Sequence, residues 1–191
     1  MDLSTTNASG AVYDTYLSNF MNEDGSVNWL PVCADAHGFV VNKDLFEKYD
    51  IPLPTDYESF VSACQAFDQV GIRGFTADYY YDYTCMETLQ GLSASELSSV
   101  EGRKWRTAYS DPDNTKREGL DSTVWPEAFE RMEQFIQDTG LSQDDLDMNY
   151  DDIVEMYQSA SLPCTLQLCR CKNVSGSGIN TTFFSILSGE R

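Results

Sequence analysis

Apolar positions recur at helical spacing near the start of the chain. Val12, Tyr13, Tyr16, Leu17 and Phe20 share one face of a helix expected over residues 11–20. The polar run Asn22-Glu23-Asp24-Gly25-Ser26 then reads as a turn, with Gly25 free to take a positive φ. Two apolar runs of strand length come next, 29–32 and 38–41, separated by polar Asp35 and His37. At Asn42 the period changes: NKDLFEKY predicts a short helix, halted by Pro52 and Pro54. Thr55, with Glu58 three residues on, has the form of a capping box. It opens a helix that turns Phe60, Val61, Cys64 and Phe67 to a core and that Gly71 ends. Residues 72–77 read as a strand. Strand, helix, helix, strand in this order predicts an α/β layer with parallel pairing.

Beyond the tyrosine-rich segment DYYYDY, a polar linking region containing Trp105 is expected. An amphipathic helix comes after it, with Pro126 in its first turn, a stripe of Phe129, Met132 and Ile136, and Gly140 at its end. DDLDMNYDDIVEMY predicts a helix with acids at its start, where carboxylates favour the helix dipole. The sequence contains no internal repeat, and no apolar run approaches the roughly 20 residues of a membrane-spanning helix.

Charge narrows the choice of partners. The 191 residues carry 31 acidic and 12 basic side chains, a net charge of -19. So few cations cannot lay a phosphate-neutralising track, which excludes nucleic acid. An anionic membrane surface would repel the chain for the same reason. Hydrophobic residues at 41% and aromatics at 13% suit a globular protein with one good core. The opening MDLSTTNASGAVYD lacks the basic start and apolar core of an export signal. That leaves a cytoplasmic protein or a piece of a longer exported one.

His37 is the only histidine, so any Ser-His-Asp or Cys-His device must pass through it. No G-x-S-x-G elbow or cysteine signature accompanies it, and no catalytic residue is assigned. Carboxylates are too abundant for sequence proximity to mark a glycosidase pair. Asp145, Asp147, Asn149 and Asp151 imitate the start of a calcium loop, but Tyr150 stands at the glycine position and Met156 at the final glutamate. Cys164, Cys169 and Cys171 lack a fourth ligand at a zinc spacing, and Cys33, Cys64 and Cys85 are scattered. No metal or cofactor is expected. Carbohydrate recognition fits the residues better. Tyr79, Tyr80, Tyr81 and Tyr83 alternate with Asp78 and Asp82 directly after an expected strand, where ligands of open α/β sheets bind. Sugar C–H faces lie against aromatic rings, and sugar hydroxyls bond carboxylates. The equal alternative is that two or three of these tyrosines belong to a core or an interface.

The stretch HGFVVNKDLFEKYDIPLPTDYESF resembles the hinge-crossing segment of extracellular, family 1-type solute-binding proteins of ABC sugar importers. GFTADYYYDY, WPEAFERMEQFIQDTG and NYDDIVEMYQS succeed it in that family's order, so the resemblance covers about residues 28–159. It implies a periplasmic-binding-protein-like (type II) α/β fold of two lobes that close over a sugar or oligosaccharide. The protein would be non-enzymatic and extracytoplasmic, usually a lipoprotein, and would deliver its ligand to permease subunits. Residues 1–40 would be the end of the first lobe and a hinge strand, and 41–191 the second lobe. Tyr79, Tyr81 and Asp82 fall where the second lobe presents ligand contacts, with Tyr80 between them. Asp35 and His37 fall beside the hinge.

Two departures stand out. The chain is about half the family's usual length, and the tail diverges after YQS. The family continues there with a segment like GKLAMYF; one codon choice for that segment spells ASLPCT after loss of one base, and this chain continues with ASLPCTLQLCRCKNV. Residues 160–177 are therefore expected to be out of frame, and 185–191 shifted again; a divergent tail is the other reading. Two rival functions remain, an α/β hydrolase or glycosidase-like enzyme and a protein-interaction module. A half-molecule is expected to self-associate through exposed cleft or hinge surface.

Overall fold

The computed structural model describes residues 1–32, 37–111, 119–168 and 181–184. The chain divides into two compact units, Met1–Ala36 and His37–Arg191.

In the first unit, helix α1 (Asp14–Leu17) runs into a 3-10 turn over Ser18–Phe20. The expected apolar face is not buried: Tyr13, Tyr16 and Phe20 are all exposed. Gly25 takes φ +81°, and Met21 bridges Val27 across the turn. The Asp2 carboxylate accepts the Val27 amide at 2.9 Å. The strand expected over 29–32 does not form, and Trp29 and Val32 stand in solvent.

The second unit opens with β1 (His37–Asn42), which passes straight into α2 (Lys43–Lys48). Asn42 ends the strand and caps the helix, its Oδ1 accepting the Leu45 amide at 3.2 Å. Helix α3 (Tyr57–Gln69) is capped one residue later than expected. Asp56 accepts the Ser59 amide at 2.8 Å, and the Ser59 hydroxyl accepts the Asp56 amide at 3.1 Å. A carboxylate at the residue flanking Tyr57 takes precedence over Thr55, one residue too far out. Gly71, at φ +76°, lies just past the helix end.

β2 is short, Phe75–Thr76, and leads through the tyrosine turn into α4 (Asp82–Leu92). The expected polar link is helical, formed by α5 (Ala94–Ser98) and α6 (Val100–Ser110). The Ser99 hydroxyl caps α6 through the Gly102 amide at 3.0 Å. Trp105 stacks on Tyr109 at 4.9 Å and meets Trp125 edge-on at 5.8 Å. Helix α7 (Trp125–Thr139) has Pro126 in its first turn and ends at Gly140, φ +69°. It buries Ala128, Phe135 and Thr139 rather than Phe129 and Ile136, which are exposed. The helix is rotated by about one residue, roughly 100°, because Phe135 fills a slot against Phe75 at 5.4 Å. Helix α8 (Tyr150–Gln158) starts from a capping box of Asn149 and Asp152. The strands β3 (Cys164–Leu168) and β4 (Thr181–Phe184) complete the described elements.

The sheet order is β2-β3-β1-β4. β1 runs antiparallel to both β3 and β4, while β2 and β3 are parallel. The expected parallel pairing of the first two strands is therefore replaced. β3 takes one edge of β1 and β4 the other, leaving no free edge for β2. The larger core among the described residues lies between this sheet and the helices, centred on Phe39, Phe60, Phe75 and Phe135, and Val40 and Tyr157 form a smaller second cluster. Phe39 meets Phe60 at 5.0 Å and Phe75 at 5.3 Å, and Phe60 stacks on Phe135 with an interplanar angle of 3°. Each such ring, fully buried, contributes about 1.5–3 kcal/mol by removal from water.

Candidate functional site

Sheet register decides which residues share an end. Thr76 lies beside Thr165, Thr165 beside Val40, and Leu168 beside His37. The carboxyl end of β2 and the start of β1 are therefore at the same end of the sheet, with the tyrosine turn above them. A cleft of about 250 Å³ opens there, lined by Gly38, Phe39 and Leu166 and by Glu87, Thr88 and Gln90 of α4.

The turn is held by its own backbone and by short side-chain bonds. The Tyr81 amide donates to the Asp78 carbonyl at 3.1 Å, and the Tyr80 amide to the Met148 carbonyl at 2.9 Å. Asp78 accepts the Thr84 hydroxyl at 3.0 Å and the Tyr83 hydroxyl at 3.4 Å. Asp82 opens α4, where the helix dipole favours its charge. Desolvation, then Asp78, holds the Tyr83 phenol above its ordinary pKa.

The four tyrosines divide. Tyr79 is buried at 5% exposure, its hydroxyl 3.1 Å from the Thr88 hydroxyl, and burial pushes its pKa well up. That ring belongs to the core. Tyr80 and Tyr83 are 63% and 51% exposed, and Tyr81 is half-buried between them. Tyr81 stacks with Tyr83 at 5.2 Å and 19°, while Tyr80 meets Tyr81 edge-on at 5.2 Å. The result is a surface cluster of three rings flanked by the carboxylates of Asp78 and Asp82. Such a surface offers apolar faces for C–H groups and acceptors for hydroxyls.

Of the expected contacts, Tyr80, Tyr81 and Asp82 come together on this surface, and Tyr79 lies beneath it. His37 is placed as the first residue of β1. Asp35 and the His37 side chain lie outside the described residues. Sequence reasoning missed the helix side of the cleft. Glu87, Gln90 and Gly91 fall at i, i+3 and i+4 of α4, one face of a helix that directly follows the tyrosine turn. Among the described residues, no group of three His, Cys, Asp or Glu side chains is placed to hold a metal ion. Likewise, no described helix is long and apolar enough to cross a membrane.

No protein-family model matches the chain, and no curated protein matches it in sequence. Solved structures do match in fold. RafE from Streptococcus pneumoniae aligns over 96% of this chain and 47% of its own, at 18% identity and a TM-score of 0.73. A family 1 extracellular solute-binding protein from Bifidobacterium longum subsp. infantis aligns over 96% and 46%, at 17% identity and 0.69. The fold is that of an extracellular solute-binding protein. A sugar transporter from Bacillus licheniformis, solved in complex with stachyose, aligns over 96% and 48%, at 14% identity and 0.65. The chain spans about half the length of these solute-binding proteins.

Proposed function

We propose that the chain is a carbohydrate-binding portion of an ABC importer's solute-binding protein, and that Tyr80, Tyr81 and Tyr83 supply the stacking surface for a sugar ring. The observation that carries this reading is the exposed three-ring cluster on a hydrogen-bonded turn, with Asp78 and Asp82 beside it. The fold supports it, because RafE has been solved with raffinose and the Bacillus licheniformis protein with stachyose. In this reading the lobe boundary falls near residue 40, and Asp35 and His37 sit beside the hinge. The chain acts by binding, without catalysis, and the whole protein works outside the cytoplasm and passes its sugar to membrane permease subunits.

One lobe provides part of the contacts and leaves the other face of the sugar in water, while the entropic cost of association remains. Raffinose and stachyose are therefore expected to bind weakly, with Kd on the order of 1 mM. Titrating either sugar into the chain and following the tyrosine ring resonances tests this. Perturbation of the ring signals at millimolar sugar, lost in Tyr81→Ala, is the expected result. Ring signals that ignore tens of millimolar of both sugars, or a response that survives Tyr81→Ala unchanged, would overturn the reading.

A further inference from the structure

Asp145 is only 1% exposed, although it sits in an acid-rich 3-10 turn, Gln143–Asp147, remote in sequence from the tyrosine turn. Its carboxylate is saturated. One oxygen accepts the Thr76 hydroxyl at 2.6 Å. The other accepts from the Arg73 guanidinium, from the Ser142 amide at 2.7 Å and from the Ser142 hydroxyl at 3.3 Å. Arg73 is itself aimed by a bond from its Nε to the Phe75 carbonyl at 3.3 Å. These bonds fasten the 3-10 turn to β2, the strand that delivers the tyrosines. Met148 completes the linkage. Its amide donates to the Asp145 carbonyl at 3.1 Å, and its carbonyl accepts the Tyr80 amide at 2.9 Å.

We propose that Asp145 is a positioning residue for the tyrosine cluster: by clamping the 3-10 turn to Arg73 and Thr76, it fixes the Met148 carbonyl that holds the Tyr80 backbone. The functional importance of this rests on the carbohydrate reading above; the positioning itself does not. A carboxylate suits the role because it accepts on both oxygens. Asparagine can keep the Thr76 bond only by turning amide protons toward Arg73. A buried charge held by several donors also has one geometry in which all are satisfied, which makes it a clamp.

Residue-resolved amide hydrogen exchange on the full chain provides the test, comparing wild type with D145N, T76V and I153V. Ile153 is buried in α8, takes part in none of these hydrogen bonds and reports general destabilisation. In D145N the Tyr80 amide should exchange about tenfold faster relative to the Phe39–Val41 amides than it does in wild type. T76V should move the same ratio in the same direction by less, and I153V should leave it unchanged. Equal acceleration of Tyr80 and the β1 amides in D145N, or an unmoved Tyr80, would overturn the assignment. Should D145N fail to fold, T76V decides by the same ratio. Loss of sugar binding by the wild type would sink the carbohydrate reading and leave this ratio untouched, so the two failures are distinguishable.

Discussion

Replacing Gly74 with alanine is the sharpest test of how β2 is seated. A Cβ at this position would lie 2.4 Å from the Cys64 Cα, 2.6 Å from the Cys64 carbonyl oxygen and 2.8 Å from the Cys64 Cβ. Non-bonded carbons rest at about 3.5–4.0 Å, so α3 and the entry to β2 must part by about 1 Å. The obstacle is helix backbone, which cannot rotate away as a side-chain tip would. Parting also loosens Phe60, Cys64 and Phe67, which α3 buries. Overpacking a core costs about 1–3 kcal/mol, and a backbone obstacle places this case near 3 kcal/mol. For a chain of this size that corresponds to a fall in Tm of about 6–12 °C. Thermal unfolding followed by circular dichroism measures it, with Gly10→Ala as control, since a Cβ there meets nothing within 4 Å. A G74A protein melting within about 2 °C of wild type would refute the close approach of β2 and α3.

Thiol chemistry should track burial. Desolvation, with Asp68 adding to it, pushes the Cys64 thiol up to about 12, and burial raises Cys164 well above 9.0. A water-soluble alkylating reagent near pH 8 should therefore label half-buried Cys85 well before either, as read by peptide mass spectrometry; early labelling of Cys64 would contradict the core. Because folding favours the protonated Cys64 thiol, its contribution is complete below the ordinary value of 9.0 and declines as pH rises toward 12. The Asp56 cap has the opposite sign. Its hydrogen bonds to the Ser59 hydroxyl and amide lower its pKa below 3.8, so the stability it lends is present above 3.8 and is lost as pH falls through the lowered value. Asp56→Asn should flatten that acid limb in pH-dependent unfolding, and an unchanged limb would remove Asp56 as its source.

Elements bounded by sharp changes of period were readable from sequence. β1, α2 and α3 carry a strand, a short charged helix, two prolines and an amphipathic run in unambiguous succession. Helix α6 was not readable, because in VEGRKWRTAYS only Trp105, Ala108 and Tyr109 form an apolar stripe and charged or polar residues fill most of the rest. It is held by the Ser99 cap, a Lys104–Glu101 ion pair at 2.9 Å and the contacts of Trp105 with Tyr109 and Trp125. In α7 the stripes Ala128-Met132-Phe135-Thr139 and Phe129-Met132-Ile136 differ by one residue's rotation, and only the aromatic slot formed by other elements chooses between them. Pairing was hidden for a similar reason: nothing within β1 or β2 indicates that β3 lies between them. At the site, composition located the tyrosine turn, but which ring turns inward depends on backbone geometry at Tyr79. Asp145 was concealed by its acidic neighbours, which look alike in sequence although one of them is buried.

The order of the sheet also governs how the polypeptide can be built. Among the described strands, β1 and β2 have no partner until β3 has been synthesised, after every helix from α2 to α8. During translation Phe39 and Phe75 must wait, covered only by helices, for a strand that closes a very long loop. Such late, non-local closure slows folding and prolongs exposure of unpaired backbone. A ribosome stalled before Cys164 would hold a helical, sheetless intermediate whose two waiting strands are open to other chains.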